Sequence, residues 1–352
     1  VAPALEFLLP GDLETRTGGY GYDRRMIAGL RALGWEVRVH LLPDRFPTPT
    51  TADLAAAART FAALPDDARV LTDGLAFGAL PEVAALEAGR LRLIALVHHP
   101  LAAETGLTPG AQQRLREGER AALAAARAVV VTSAATAAAL RPYGVSPRRI
   151  VVVEPGTDPA PLSRGSAARG GGPVQLLCVG SLTLRKGHDL LVRALAALRH
   201  HDWRLDCVGS ATRDPATAAA LVERVAELGL QDRVRWRGEL APAALDAAWD
   251  AADLLVSPSL HEGYGMAVAE ALAHGLPVVA TDTGAASGLV GEEAGLVVPV
   301  DDRPALAQAL DRLLGDAATR KRLAGGAARA RQRLPSWALA CQAFADALRE
   351  AA

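Results

Sequence analysis

Short runs of aliphatic and β-branched residues recur along the chain, each followed by a longer Ala/Leu/Arg stretch with apolar residues at helical spacing. In the first half these runs are Ala4 to Leu9, Val37 to Leu42, Val70 to Thr72, Leu91 to Val97, Ala128 to Thr132 and Ile150 to Val153. Between the first two, Met26, Ile27, Leu30 and Leu33 share one face of a stretch that begins at Tyr22 and is closed by Gly34. That spacing predicts a helix crossing over between parallel strands. The rhythm stops from Asp158 to Pro173, a stretch of Pro, Ser, Arg and Gly that ends in Gly170, Gly171, Gly172 and Pro173. Neither a helix nor a strand interior accepts such a stretch readily, and it reads as a linker.

The alternation restarts with Val174 to Val179, Arg204 to Val208, Val234 to Trp236, Leu254 to Ser257, Pro277 to Ala280 and Leu296 to Val298. The pattern predicts two doubly wound α/β domains, residues 1–157 and 174–335, on either side of the linker 158–173. Near-continuous apolar strands suit sheets covered by helices on both faces, and ligands of such sheets sit beyond the carboxyl ends of the strands. After Pro335, residues 336–352 read as a final amphipathic helix packing back on the first domain, with Leu339, Ala343, Phe344 and Leu348 on one side.

Composition narrows the picture without changing it. The 352 residues exceed what one core usually serves, and 50% apolar with 22% charged residues is the balance of a globular protein. A formal charge of -1, with both signs interspersed, gives no whole-molecule attraction to nucleic acid, so an anionic ligand has to be caught locally. Three widely spaced cysteines, Cys178, Cys207 and Cys341, form neither a CxxC pair nor a disulfide framework, which points to a reducing cytoplasm. No uncharged apolar run approaches the roughly 18 residues of a membrane span. The expectation is a cytoplasmic protein, with peripheral contact at the inner face of a membrane left open. A trimmed leader ahead of Val1 is compatible with the same pattern. The only lysines are Lys186 and Lys321, so the position of Lys186 in a loop stands out.

The most informative segment runs from His261 through Glu262, Gly263, Tyr264, Gly265 and Met266 to Glu270 and Ala273, directly after the run Leu254 to Pro258. A strand there enters a glycine-containing loop and then a helix, whose N-terminus suits a phosphate. Glu262 in the loop and Glu270 about one turn into the helix supply carboxylates of the kind that accept hydrogen bonds from sugar hydroxyls. Read alone, Glu270 also fits a solvated helix face and Glu262 a loop charge. A second segment, Gly180 to His188, sets Arg185 and Lys186 side by side after the run Val174 to Val179. Paired cations on a strand-to-helix loop stabilise a diphosphate leaving group as charge develops on it, although two basic loop residues also serve solubility alone. Gly187 rather than Ser or Thr follows Lys186, so the loop is not a Walker P-loop.

In the first half, Thr17-Gly18-Gly19-Tyr20-Gly21 lies between the first strand and its helix and is either a phosphate-approach loop or a tight turn. His98 and His99 end the fourth run; one of them positions a substrate hydroxyl, or both merely finish the strand. No HExxH, paired CxxC or D-x-D is present, and no metal is expected.

Taken together these segments resemble the retaining family 4 glycosyltransferases of GT-B fold, in the same order along nearly the whole chain. The resemblance rests on Gly18 and Gly19, His98, Pro155-Gly156-Thr157-Asp158, Arg185-Lys186-Gly187, and the E-x7-E segment from Glu262 to Glu270 with its continuation Ala271 to Val279. It implies two Rossmann-like domains facing a central cleft, a UDP- or GDP-sugar donor, and a sugar, lipid-linked or small-molecule acceptor. By the same resemblance Glu270 binds the ribose hydroxyls and Glu262 the donor sugar, with Gly263, Tyr264, Gly265 and Met266 lining the donor site. Arg185 and Lys186 hold the diphosphate, Gly18 and Gly19 approach a phosphate, and His98 touches the transferred sugar. No cofactor beyond the donor is implied. This chain departs from the family pattern at Ser181, where Arg is common, and after Gly284, where Ala285-Ala286-Ser287-Gly288 offers no carboxylate. A sugar-nucleotide epimerase, a phosphorylase of the same fold, and a non-catalytic sugar-nucleotide-binding protein are the rival readings.

Overall fold

A computed structural model describes residues 2–351 of the chain. Twelve strands form two parallel sheets of six. The first holds β1 (Ala4–Pro10), β2 (Glu36–Leu42), β3 (Arg69–Asp73), β4 (Arg92–Val97), β5 (Ala128–Val131) and β6 (Ile150–Val152) in the order β2-β1-β3-β4-β5-β6. The second holds β7 (Val174–Val179), β8 (Trp203–Val208), β9 (Val234–Gly238), β10 (Leu254–Ser257), β11 (Val278–Thr281) and β12 (Gly295–Val298) in the order β12-β11-β10-β7-β8-β9. Every strand pairing is parallel, so each connection within a sheet is a crossover, and each carries a helix.

The strands read as continuous apolar runs because both faces are covered. In β4, Leu93, Ala95 and Val97 enter one hydrophobic cluster while Ile94 and Leu96 enter the cluster on the opposite face. In β10, Leu254 and Val256 face one way and Leu255 the other. A one-residue slip in register would exchange the two sets, and burial at about 1.5–3 kcal/mol per large side chain opposes it.

The chain divides into two compact units, one of residues 1–156 with 335–352 and one of residues 157–334. The stretch 158–173 is no free spacer, because its backbone is stitched to the second unit. Ser163 N–H donates to the His274 carbonyl at 2.8 Å, Gly165 N–H to the Asp250 carbonyl at 2.9 Å, and Ser166 N–H to Asp253 Oδ1 at 2.9 Å. The last helix, Trp337–Glu350, belongs to the first unit and packs against the helix Gly18–Ala32. Its buried stripe is Cys341, Phe344, Ala345 and Leu348, whereas Leu339 and Ala343 of the sequence-based stripe face solvent. Gly29 explains the phase: a Cβ built there would lie 2.1 Å from Cys341 Sγ, so the small pair lets the two helices approach at this face.

The first helix also starts earlier than its apolar spacing predicts. It spans Gly18–Ala32 rather than Tyr22 to Leu33, because Thr17 caps it by accepting the Tyr20 N–H at 3.2 Å. Gly18 and Gly19 therefore form a first helical turn, not a loop.

Candidate functional site

In the second sheet the chain runs outward from β7 through β8 to β9, then returns to lay β10 on the other side of β7. Where strand order reverses in this way, the loops after the two central strands part in opposite directions and leave a crevice. The Arg185-Lys186 loop follows β7 and the Glu262 loop follows β10, so the two segments singled out in the sequence flank that reversal.

The loops are fastened to each other. Leu260 N–H donates to the Arg185 carbonyl at 2.8 Å, and Gly187, at φ +66°, passes so close that a Cβ would lie 2.0 Å from the Pro258 carbonyl oxygen. Only glycine takes both that backbone angle and that approach. Across the junction Lys186 Nζ lies 2.5 Å from Glu262 Oε1, and Arg185 Nη1 lies 3.6 Å from Glu262 Oε2 while donating to the His261 carbonyl at 2.9 Å. Ser259, itself buried, donates its hydroxyl to Glu262 Oε1 at 2.7 Å. Burial alone would push the Glu262 carboxyl up, but Lys186 and Arg185 outweigh it and hold its pKa at about 2. Glu270, on the helix Met266–Ala273, goes the other way: burial first and the Asp158 charge second raise it to about 7, against the pull of Lys186.

Two helices open on this junction, His188–Ala196 behind Gly187 and Met266–Ala273 behind Gly265, and neither has a side-chain cap. Thr17, Thr50, Asp214 and Asp302 cap other helices, while Pro81–Glu87, Pro242–Ala251 and Ala285–Val290 also start without a side-chain cap. A glycine at the cap leaves the first N–H groups without a side-chain acceptor, the arrangement that receives an anion. Gly263 and Met266 are part-buried there, and Tyr264 and Gly265 are buried.

The first unit has a separate group at the carboxyl ends of its strands. His98, just beyond β4, has Nε2 3.3 Å from Asp23 Oδ1 and 3.4 Å from Asp73 Oδ2. Gly19 faces the same ring, with room for a Cβ at 3.5 Å from His98 Cδ2, while Gly18 is exposed. His99 is 3.6 Å from Glu104 instead.

A family model described as Glycosyl transferases group 1 matches residues 173–316, and one described as Glycosyltransferase Family 4 matches residues 70–161. The chain belongs to glycosyltransferase family 4. Among curated relatives of this family 4 chain, a D-inositol 3-phosphate glycosyltransferase of Kineococcus radiotolerans is 37% identical over 256 residues, covering 65% of this chain and 58% of the relative. The chain thus spans little more than half the length of that relative. Sucrose-phosphate synthase from Thermosynechococcus elongatus superposes with a TM-score of 0.81 at 25% identity, covering 98% of each chain. The Anabaena protein HepE in complex with UDP and glucose shares the fold with a TM-score of 0.78 at 20% identity, over 98% of this chain and 99% of that one. The family 4 chain is therefore of GT-B type, two Rossmann-like α/β domains.

Several residues of this family 4 site escape the sequence patterns. Asp23 and Asp73 meet His98 only through tertiary structure, whereas Ser259 meets Glu262 within one loop. In the region after Gly284 the nearby carboxylate is Asp282, which accepts the Gly284 N–H at 3.0 Å and the Ser287 hydroxyl. Among the described residues, two groups have ligand-type atoms within 4.8 Å of one another, Asp23/Asp73/His98 and the surface group His200/His201/Asp311. No described helix is long and apolar enough to cross a membrane.

Proposed function

We propose that this family 4 protein transfers a sugar, with retention of anomeric configuration, from a UDP- or GDP-sugar to a hydroxyl of a sugar, lipid-linked or small-molecule acceptor. The observation that carries the reading is the convergence of Arg185, Lys186, Glu262 and Glu270 at the strand reversal of the second sheet, beside two helix ends without side-chain caps. Two cations against one fully ionised carboxylate leave positive charge for a diphosphate. The Lys186 ammonium has three N–H donors and gives one to Glu262, which leaves two for phosphate oxygens. In the reaction the bond from the anomeric carbon to phosphate oxygen breaks while the acceptor oxygen bonds the same face. The leaving phosphate takes the acceptor proton, so no dedicated protein base is required. Arg185, Lys186 and the helix ends stabilise the charge that develops on the departing diphosphate. Glu270 accepts hydrogen bonds from the ribose, Glu262 orients the donor sugar, and Gly19 and His98 serve the first unit's side of the reaction. The chemistry needs no metal, because the cations do the neutralising. The relative named for glycosyl transfer to an inositol phosphate and the neighbour crystallised with UDP and glucose support this reading. A cytoplasmic setting, at or near the inner face of a membrane, suits such a donor.

Incubation of the protein with a panel of UDP- and GDP-sugars and candidate acceptors, read by mass spectrometry, tests it. Glycosylated acceptor and nucleoside diphosphate in equal amounts are the expected products. An altered sugar nucleotide without acceptor would show an epimerase, transfer to inorganic phosphate a phosphorylase, and an intact bound donor under every condition a binding protein.

A further inference from the structure

The carboxyl end of the first sheet holds three titratable side chains with almost no solvent among them. Side-chain exposure is 1% for Asp23, 3% for Asp73 and 20% for His98. Both carboxylates approach the same ring nitrogen, Nε2, which is buried, and neither Asp23 oxygen has a hydrogen-bond partner. Were the imidazole neutral, two buried carboxylates would face each other with only one N–H, or none, between them; a protonated ring supplies the missing countercharge. The remaining neighbours cannot replace it. Arg24, next along the helix, donates its guanidinium to the Leu13 and Thr15 carbonyls, and the Tyr22 ring stands edge-on to His98 with centroids 5.4 Å apart. The residue is also fixed from behind, since its carbonyl accepts the hydroxyls of Thr132 at 3.3 Å and Thr136 at 3.2 Å. With Nε2 between the two carboxylates, Nδ1 is the ring nitrogen left for a ligand.

We propose that Asp23 and Asp73 are positioning residues that hold His98 as an imidazolium, so that its Nδ1–H is a charged hydrogen-bond donor to an oxygen of the sugar substrate and the ring cannot act as a proton acceptor. The substrate half of this statement rests on the transferase reading above; the charge state does not. The balance of burial and charge agrees with the geometry. Burial, which lowers the His98 pKa, is outweighed by Asp23 and Asp73, and the value stands at about 10. Burial raises Asp23 to about 6 against the opposing pull of His98. Between those two values the ring is charged.

Histidine-labelled protein, with the His98 signal assigned by its loss in His98→Gln, reads the protonation state by nitrogen NMR. Both ring nitrogens of wild-type His98 are expected to keep the protonated signature from pH 7 to 9, about one unit inside each pKa. Asp23→Asn or Asp73→Asn should lower the midpoint by roughly 1–3 pH units, the usual effect of an opposite charge at this distance. A neutral tautomer in the wild type at pH 7.5 overturns the inference, and no variant is needed to see it. Zinc ion that perturbs His98 alone at that pH also overturns it, because the metal would then take the place of the proton. The pH profile of kcat supplies the functional arm: a loss of activity on the acid side that follows His98 protonation marks a base and overturns the donor role. Should no donor in the panel support transfer, the transferase reading fails while the NMR result still decides the charge state.

Discussion

The two units place opposite charge at the carboxyl ends of their sheets. In the second, a carboxylate, Glu262, is held by two cations, Arg185 and Lys186. In the first, a cation, His98, is held by two carboxylates, Asp23 and Asp73. Counted over these three groups alone, the second unit has one positive charge in excess and the first one negative, with Asp158 and Glu270 in the second and Arg24 in the first acting the other way. On the proposed function, the same fold plan would serve two tasks, neutralising a phosphate anion in one unit and offering hydroxyl-binding groups in the other. What differs is only which residues sit just past the strand ends, where side chains are fixed by the sheet but free to vary without disturbing it.

The largest effect should come from removing the excess in the second unit. Lys186→Ala takes away a transition-state contact and leaves Glu262 with Arg185 alone. Steady-state kinetics on the donor found in the panel should show kcat/KM down by about 10²–10³-fold, the cost of losing one such donor. Stability should change as well. Glu262 has a folded pKa of about 2 against an ordinary 4.5, so its contribution is present above pH 4.5 and is lost as pH falls toward 2. In Lys186→Ala the folded pKa should rise toward 4.5, so the acid loss should be smaller and complete at a higher pH, which thermal unfolding between pH 2 and 6 would show. Unchanged kinetics together with an unchanged acid limb would remove Lys186 from the site.

Next in size is the junction itself. Gly187→Ala puts a side chain on a residue at φ +66° and aims it at the Pro258 carbonyl. Strain of this kind costs roughly 1–3 kcal/mol, visible in urea unfolding. The β7 and β10 loops should also separate, so calorimetry should show nucleoside diphosphate affinity falling along with stability. Affinity that survives the destabilisation would mean the two loops bind independently.

The two glutamates of the second unit sharpen the comparison further, because their shifts have opposite sign. Glu270 is raised from an ordinary 4.5 to about 7, so its ionisation opposes folding as pH climbs through that interval. A ribose held by the carboxylate favours the charged form, and donor binding should release a proton below pH 7. Affinity is then expected to rise with pH by up to about tenfold per unit and to level off above 7. Glu270→Gln should flatten the profile. Titrations in buffers of different ionisation enthalpy would detect the proton directly; no release at pH 6 would place the ribose elsewhere.

What could be read from the sequence follows from how local each feature is. The central strands appear as apolar runs because both faces of each sheet are buried there, whereas the edge strands β2 and β9 carry exposed residues. Arg185, Lys186, Glu262 and Glu270 stand out because a strand, a loop and a helix start lie within a dozen residues of one another in each segment. Asp23 and Asp73 do not: one is a single acid in an amphipathic helix, the other a strand-ending aspartate that also caps the next helix through the Leu75 N–H. Only the β2-β1-β3-β4 order brings them to His98. The glycine segment at Gly18 misleads for a different reason, since the Thr17 cap overrides the low helix propensity of glycine. The phase of the last helix is set by the Gly29–Cys341 contact, more than 300 residues apart, which no periodicity records.

The smallest structural effect, and the sharpest contrast with Gly187, belongs to Gly19. Its backbone is helical rather than left-handed, and a Cβ there would make ordinary contacts, 3.5 Å to His98 Cδ2 and 3.6 Å to Nε2. Alanine is the better helix former by up to about 1 kcal/mol, so Gly19→Ala should leave unfolding midpoints unchanged or slightly raised. On the proposed approach of Gly19 to a phosphate, activity should nonetheless fall, because the methyl group covers that backbone and lies against the His98 ring. A displacement of about 1 Å at a reacting centre costs up to roughly a hundredfold, and a loss of kcat/KM between tenfold and that figure is expected. A glycine kept for packing would show the reverse, lower stability and intact turnover, as Gly187 should in part. Full activity in stable Gly19→Ala would remove Gly19 from phosphate binding.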